Sequence, residues 1–271
     1  MFTRSLIAVA AAALFVQGAP GRAATPPSGL HWIVSQSSVW RLRQGMPAND
    51  VDELFDNPNT YVIINASRKG DPLPHAEHVA FYRDEKLMAA DLAAGRLAGV
   101  DGVLYDDESY NEPGNTTPED QKANPLPYVQ DAARLLHTAH KLFLYTIGPS
   151  VGPRGSFWNT TLASVSPYPD VIDFQTQGAE GTPRFAAQVA HYSQIYRRNG
   201  GHLLLVGLAV APRGQYKSTQ DIRSAYDAGL ANNPPVDGFW LNIAVKSASC
   251  TGCATAADVT PGVQFLESIL K

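Results

Sequence analysis

Three consecutive acidic residues, Asp106, Asp107 and Glu108, end an apolar segment that begins at Gly102. If this segment is a strand, its alternation places Asp106 and Glu108 on one face and Asp107 on the other. Two carboxyl groups on one strand face repel each other, so the pKa of one of them rises. A carboxyl group of raised pKa suits a general acid that works near neutral pH. The segment therefore predicts an acid–base site with Glu108 as the acid and Asp106 beside it; a solvated acidic loop that caps a helix is the alternative.

A larger framework must position these acids, and the rest of the chain predicts alternating strands and helices. β-rich segments occur at residues 31–37, 61–66, 78–82, 102–106, 142–147, 171–176, 203–210 and 238–244. Helical patterns occur at residues 85–98, 128–140, 183–198, 219–231 and 261–270. Several of the strands are continuous apolar runs, as parallel strands covered by helices are. Eight strands in a chain of 271 residues predict a single α/β domain, a (β/α)8 TIM barrel. A doubly wound open sheet is the alternative.

In a (β/α)8 barrel, the side chains that carry chemistry lie at the carboxyl ends of the strands and in the loops that follow. Polar and aromatic residues occupy several of these predicted ends besides the fourth: Asn65, Tyr145, Gln175, Gln177, Trp240 and Asn242. We expect these side chains, together with Asp107, to contact the substrate.

The segment 101–108, with the sequence D-G-V-L-Y-D-D-E, resembles the fourth-strand signature D-G-x-D-x-D-x-E of glycoside hydrolase family 18. That family contains chitinases and endo-β-N-acetylglucosaminidases. The resemblance implies that Glu108 protonates the glycosidic oxygen. It also implies that Asp106 orients the acetamido group of the substrate, whose carbonyl oxygen attacks the anomeric carbon. In the same comparison, Trp240 resembles the last-strand Trp that forms the floor of a sugar subsite, and Gln175 and Gln177 stand near the usual sixth-strand Tyr.

One position departs from the signature. Leu104 stands where the family has its middle Asp, which pairs with the next Asp and cycles its proton. An apolar neighbour cannot take a proton, and we expect it to raise the pKa of Asp106 by desolvation. Two alternatives stay open for this reason. One is another TIM-barrel glycosidase, of the endo-α-1,4-polygalactosaminidase type, and the other is a non-catalytic chitinase-like protein that binds sugar.

A second motif, G-P-S-V-G at residues 148–152, matches the G-x-S-x-G nucleophile elbow of esterases, with Ser150 as the nucleophile. That elbow requires a helix to start at once, and Pro153 and Gly155 disfavour such a start. The histidine pairs of the chain have no evident third ligand, although a carboxylate-rich site can bind Ca²⁺ or Mg²⁺. We expect a glycosidase that uses no metal and no other cofactor.

The first 23 residues predict a secretory signal peptide. Arg4 supplies the positive charge, residues 6–16 are apolar, and Gly21 and Ala23 place small side chains before a cleavage site. Residues 24–271 then form the single catalytic domain of a secreted protein. In that oxidising location, Cys250 and Cys253 are expected to form a disulfide bond.

The charge of the chain restricts its partners. With 21 basic and 25 acidic residues, the net charge is −4 and no basic run is present. We therefore expect binding neither to nucleic acid nor to an anionic membrane surface. The expected partner is a polysaccharide or glycan substrate, bound by a monomer.

Overall fold

The computed structural model describes residues 29–64, 73–107, 117–148, 155–210, 217–243 and 259–271. Eight parallel strands form a closed barrel in sequence order, and β8 pairs with β1. The strands are β1 (His31–Ser35), β2 (Thr60–Ile63), β3 (Glu77–Tyr82), β4 (Gly102–Asp107), β5 (Leu142–Ile147), β6 (Val171–Phe174), β7 (Leu203–Ala209) and β8 (Gly238–Asn242). The prediction of a single (β/α)8 TIM barrel is confirmed.

Helices cover the outside of the barrel. They are α1 (Gln36–Gly45), α2 (Ala48–Phe55), α3 (Glu85–Ala93), α4 (Glu119–Ala123), α5 (Leu126–Thr138), α6 (Gly155–Val165), α7 (Pro183–Arg198), α8 (Thr219–Ala231) and α9 (Thr260–Leu270). The sequence predicted α3, α5, α7, α8 and α9 but not the other four. Within the described ranges, no helix is long and apolar enough to span a membrane.

The first strand ends earlier than predicted because a serine stops it. The Ser35 side chain accepts a hydrogen bond from the Ser38 backbone N–H at 3.0 Å, which caps α1. Ser, Thr and Asn favour such caps because they satisfy free N–H groups at a helix start. Residues 36–37, predicted as strand, therefore begin a helix.

Two apolar clusters hold the fold together. Outward-facing strand residues such as Val103, Tyr105 and Phe143 pack against the helices. Inward-facing residues such as Leu104, Leu144 and Trp240 fill the barrel. Because side chains alternate along each strand, the faces of the polar strand residues follow from these two clusters.

The predicted signal peptide and the cysteine pair Cys250–Cys253 lie outside the described residues. They remain predictions.

Candidate active site

The acids at the end of β4 divide between the two faces of the strand. Leu104 lies in the interior cluster, and Tyr105 lies in the outer cluster. Alternation therefore directs Asp106 into the carboxyl end of the barrel and Asp107 outward. The sequence predicted opposite faces for the two acids, but it also predicted that Asp107 contacts the substrate, from which its outward direction separates it. Asp106 is only 1% exposed. Glu108 lies outside the described residues, and its position on the face of Asp106 remains a prediction.

Asp106 accepts hydrogen bonds from side chains that follow two other strands of the barrel. Arg83, just after β3, donates from Nε to one carboxylate oxygen at 3.1 Å. Gln175, just after β6, donates from Nε2 to the other oxygen at 3.2 Å. Two donors on one carboxylate, one of them a cation, favour its ionised form. The prediction that Leu104 raises the pKa of Asp106 by desolvation did not include these two donors.

Arg83 was not among the predicted site residues. Its guanidinium also lies over the Phe81 ring, 5.3 Å from the ring centre. Phe81 is 38% exposed although it belongs to the inward face of β3, which it shares with Val79. Arg83 continues the inward-facing alternation of Val79 and Phe81, and this alternation was the sequence signal for it. The signal was missed because the strand was predicted to end at residue 82.

The strand register shows which other side chains share the level of Asp106. The Cα atom of Asp106 pairs with that of Thr146, which pairs with that of Asp173. In this fold the barrel usually has a shear of eight, and the inward-facing side chains of alternate strands share a layer. The residue in the same layer two strands further on therefore lies two positions after the register partner. Gln175 and the half-buried Asn242 therefore lie in the layer of Asp106. Asn65, the remaining predicted strand-end residue, lies outside the described residues.

Two further predicted contact residues lie close to this layer. The Gln177 side chain rests on the inward face of β7, where a Cβ atom on Gly207 would come within 2.3 Å of it. Trp240 is inward-facing but only 8% exposed, packed in the interior cluster one layer below Asn242. The structure thus brings Gln175, Gln177 and Asn242 to the mouth of the barrel and places Trp240 beneath it.

Asp107 and Tyr145 are brought to each other, not to Asp106. The Tyr145 hydroxyl donates to an Asp107 carboxylate oxygen at 2.9 Å, and both side chains are buried between the barrel and the helices. Burial raises the pKa of Asp107 to about 7, although the Tyr145 hydrogen bond and the charge of Lys122 oppose this shift. Both residues face outward because they alternate with the inward-facing Asp106 and Thr146.

A further acid, Asp173, lies inside the barrel and was not predicted as a site residue. It is 1% exposed, and no described residue bonds either carboxylate oxygen. Burial, reinforced by the negative charge of Asp106, raises the pKa of Asp173 well above its ordinary value. The sequence signal was a lone acid in the apolar strand Val171–Phe174, two residues before Gln175.

Metal binding gains no support from the described part of the chain. No group of three or more His, Cys, Asp and Glu side chains there is arranged to hold a metal ion. The esterase alternative is untested, since Ser150 lies outside the described residues.

Solved structures share this architecture. A family 18 chitinase from Pseudoalteromonas aurantia is 10% identical, with a TM-score of 0.54, over 88% of this chain and 98% of that one. A family 128 endo-β-1,3-glucanase from Amycolatopsis mediterranei, solved as a point mutant in complex with laminarihexaose, is 12% identical, with a TM-score of 0.52, over 86% and 98%. The C-terminal domain of a putative chitinase from Desulfitobacterium hafniense is 9% identical, with a TM-score of 0.50, over 90% and 99%.

The likeness is one of fold. Identities this low relate the backbones and do not carry residue roles from one chain to another. No protein-family model and no curated protein sequence matches the chain.

Proposed function

We propose that this protein is a secreted glycoside hydrolase that cleaves glycosidic bonds in an amino-sugar-containing glycan, either chitin-like or the core of an N-glycan. Glu108 is the general acid, and Asp106 assists by orienting the acetamido group. Gln175, Gln177, Asn242 and Asn65 bind sugar hydroxyl groups around them.

One observation carries this proposal. Asp106 points into the barrel at the carboxyl end of β4, with a donor on each oxygen. An ionised carboxylate in this position can still accept a substrate N–H, because each carboxylate oxygen has two lone pairs. This is the role that an acetamido-orienting Asp requires. The similarity of the barrel to the folds of chitinases and of a glucanase adds support by analogy.

Leu104 leaves Asp106 without the partner carboxyl group of the family 18 signature. The positive charge of Arg83 stabilises the ionised form of Asp106 instead. The Arg83 side chain is 27% exposed, and its guanidinium contacts the Asp106 carboxylate directly. A cation in contact with a buried carboxylate offsets much of the cost of burying that charge. This contact favours catalysis over sugar binding alone, since an acetamido-orienting Asp must be a good acceptor.

The experiment is a screen for new reducing ends. The secreted protein is incubated with chitin oligomers, high-mannose glycans, galactosamine polymers and laminari-oligosaccharides. We expect cleavage of a glycan that contains N-acetylglucosamine. Cleavage of galactosamine polymers alone would favour the polygalactosaminidase type, and cleavage of laminari-oligosaccharides alone would remove the amino-sugar assignment. Binding without cleavage would identify a non-catalytic sugar-binding protein.

The site variants Glu108→Gln and Asp106→Asn accompany this screen. Each should lower the rate by about 10²–10⁴-fold, the usual contribution of a positioned acid or base. Asp101→Asn is the matched control, because Asp101 lies before β4 at the opposite end of the strand, where it accepts a hydrogen bond from the His78 N–H at 2.7 Å. An esterase would instead lose activity in Ser150→Ala and retain it in Glu108→Gln.

A further inference from the structure

Asp173 occupies the interior layer of Leu104. Leu104 pairs in register with Leu144, and Leu144 pairs with Val171. With the displacement of two residues between alternate strands, the side chain on β6 that shares the layer of Leu104 is therefore Asp173. Asp173 pairs in register with Leu205, which pairs with Gly238, so Trp240 on β8 also lies in this layer. The layer beneath Asp106 thus contains a carboxyl group, although β4 does not supply it.

Thr146 lies between the two acids. It is the register partner of both Asp106 and Asp173, on the strand between theirs, and it belongs to the layer between their two layers. Its side chain is completely buried, and its hydroxyl bonds no described residue. A hydroxyl group can donate one hydrogen bond and accept others, so it can connect a protonated carboxyl group to an ionised one.

The surroundings assign different charge states to the two acids. Asp106 has Arg83 and Gln175 as donors, whereas no described residue donates to Asp173. β7 offers only Leu205 as a register partner to Asp173. The one described charge that acts on Asp173 is that of Asp106, and it opposes a second negative charge. A proton on this pair therefore belongs on Asp173.

We propose that Asp173 is a positioning residue for Asp106: its carboxyl group stays protonated in the layer beneath, and the Thr146 hydroxyl connects the two acids through water. This hydrogen-bonded link fixes the orientation of Asp106 and lets it carry its charge in a buried place. It deepens the proposed function, and its activity readout rests on that function. The protonation of Asp173 can be measured without any substrate.

Infrared difference spectra test the charge assignment. We expect the difference between the spectra of wild type and Asp173→Asn at pH 7 to contain a protonated-carboxyl band; Asp107, which titrates near pH 7 in both proteins, cancels in this difference. In Asp106→Asn, the pH at which this band disappears should fall, because the neighbouring negative charge has been removed. A spectrum without such a band, or a titration midpoint that Asp106→Asn leaves unchanged, would overturn the proposal. The same titration in Glu108→Gln separates any contribution from Glu108.

Enzyme kinetics test the link. Thr146→Val removes the hydroxyl with almost no change of shape, and we expect about tenfold lower kcat with KM little changed. Thr60→Val is the matched control: Thr60 is equally buried and its hydroxyl also bonds no described residue, but it lies at the opposite end of the barrel, at the start of β2. Equal kcat values for the two variants would refute the link.

The pH profile distinguishes positioning from simple packing. Ionisation of Asp173 should add to the alkaline decline of kcat that ionisation of the acid Glu108 causes, so Asp173→Asn, which stays neutral at position 173, should show a less steep decline than wild type. An unchanged alkaline limb in a folded Asp173→Asn variant contradicts the proposal. If this variant does not fold, the Asp106→Asn titration and the Thr146→Val kinetics still decide. Absence of any glycan cleavage would refute the proposed function, while the infrared titration would still show whether Asp173 is protonated.

Discussion

The outward-facing acid Asp107 should make the stability of the protein depend on pH. Burial raises its pKa from the ordinary 3.8 to about 7. The folded protein therefore retains a proton that the unfolded chain releases between these values. One pKa unit corresponds to about 1.4 kcal/mol, so ionised Asp107 costs the folded state about 4 kcal/mol relative to its protonated form. The contribution of the protonated form is fully present below pH 4 and is lost as the pH rises through 7.

The substitution Asp107→Asn tests this value. Asn has the shape of a protonated Asp, remains neutral, and keeps an oxygen that can accept from the Tyr145 hydroxyl. We expect the unfolding free energy of the variant, measured in urea, to rise relative to wild type by about 4 kcal/mol between pH 4 and pH 8. Other buried acids titrate equally in both proteins, so the difference isolates Asp107. The exposed Asp101→Asn should show no such rise. A constant difference between Asp107→Asn and wild type over this range would refute the reasoning.

Two further predictions concern the mouth of the barrel and the C-terminal loop. A methyl group at Gly207 would lie 2.3 Å from the Gln177 side chain. Gly207→Ala should therefore displace Gln177 and raise KM severalfold, with a change in melting temperature of only a few degrees; an unchanged KM would remove Gln177 from substrate binding. If Cys250 and Cys253 form a disulfide bond, alkylation under native, non-reducing conditions should leave the intact mass of the protein unchanged, and modification of both would exclude the bond.

The sequence was sufficient for the architecture because its signals are local. Apolar runs such as Leu203–Ala209 identify buried parallel strands, and period-2 alternation assigned Asp106 and Asp107 to opposite faces. Helices with weak signals were missed. α6 contains Gly, Ser, Asn and Thr, which have low intrinsic preference for a helix, and packing against the barrel overrides that preference.

The candidate site could be predicted only in part, because its contacts join distant segments. The strand register places Asp173 in the layer of Leu104, and this position makes it a candidate partner of Asp106. The register between two strands cannot be predicted from the sequence of either strand alone. Arg83 bonds Asp106 across 23 positions of sequence. Tyr145 was predicted to contact substrate because it lies near a strand end, but its partner is Asp107, on the outer face.

The proposed cleavage of a glycan by Asp106 and Glu108 has one most direct test. The kcat/KM values of Asp106→Asn and Asp101→Asn are measured side by side, by reducing-end release on N-acetylglucosamine oligomers. Both substitutions remove one carboxylate near β4, but only Asp106 lies at the carboxyl end, in contact with Arg83 and Gln175. We predict that Asp106→Asn loses about 10²–10⁴-fold, while Asp101→Asn stays within about twofold of wild type. Equal activity of the two variants, or no cleavage by the wild-type protein, would contradict the proposed role of these acids.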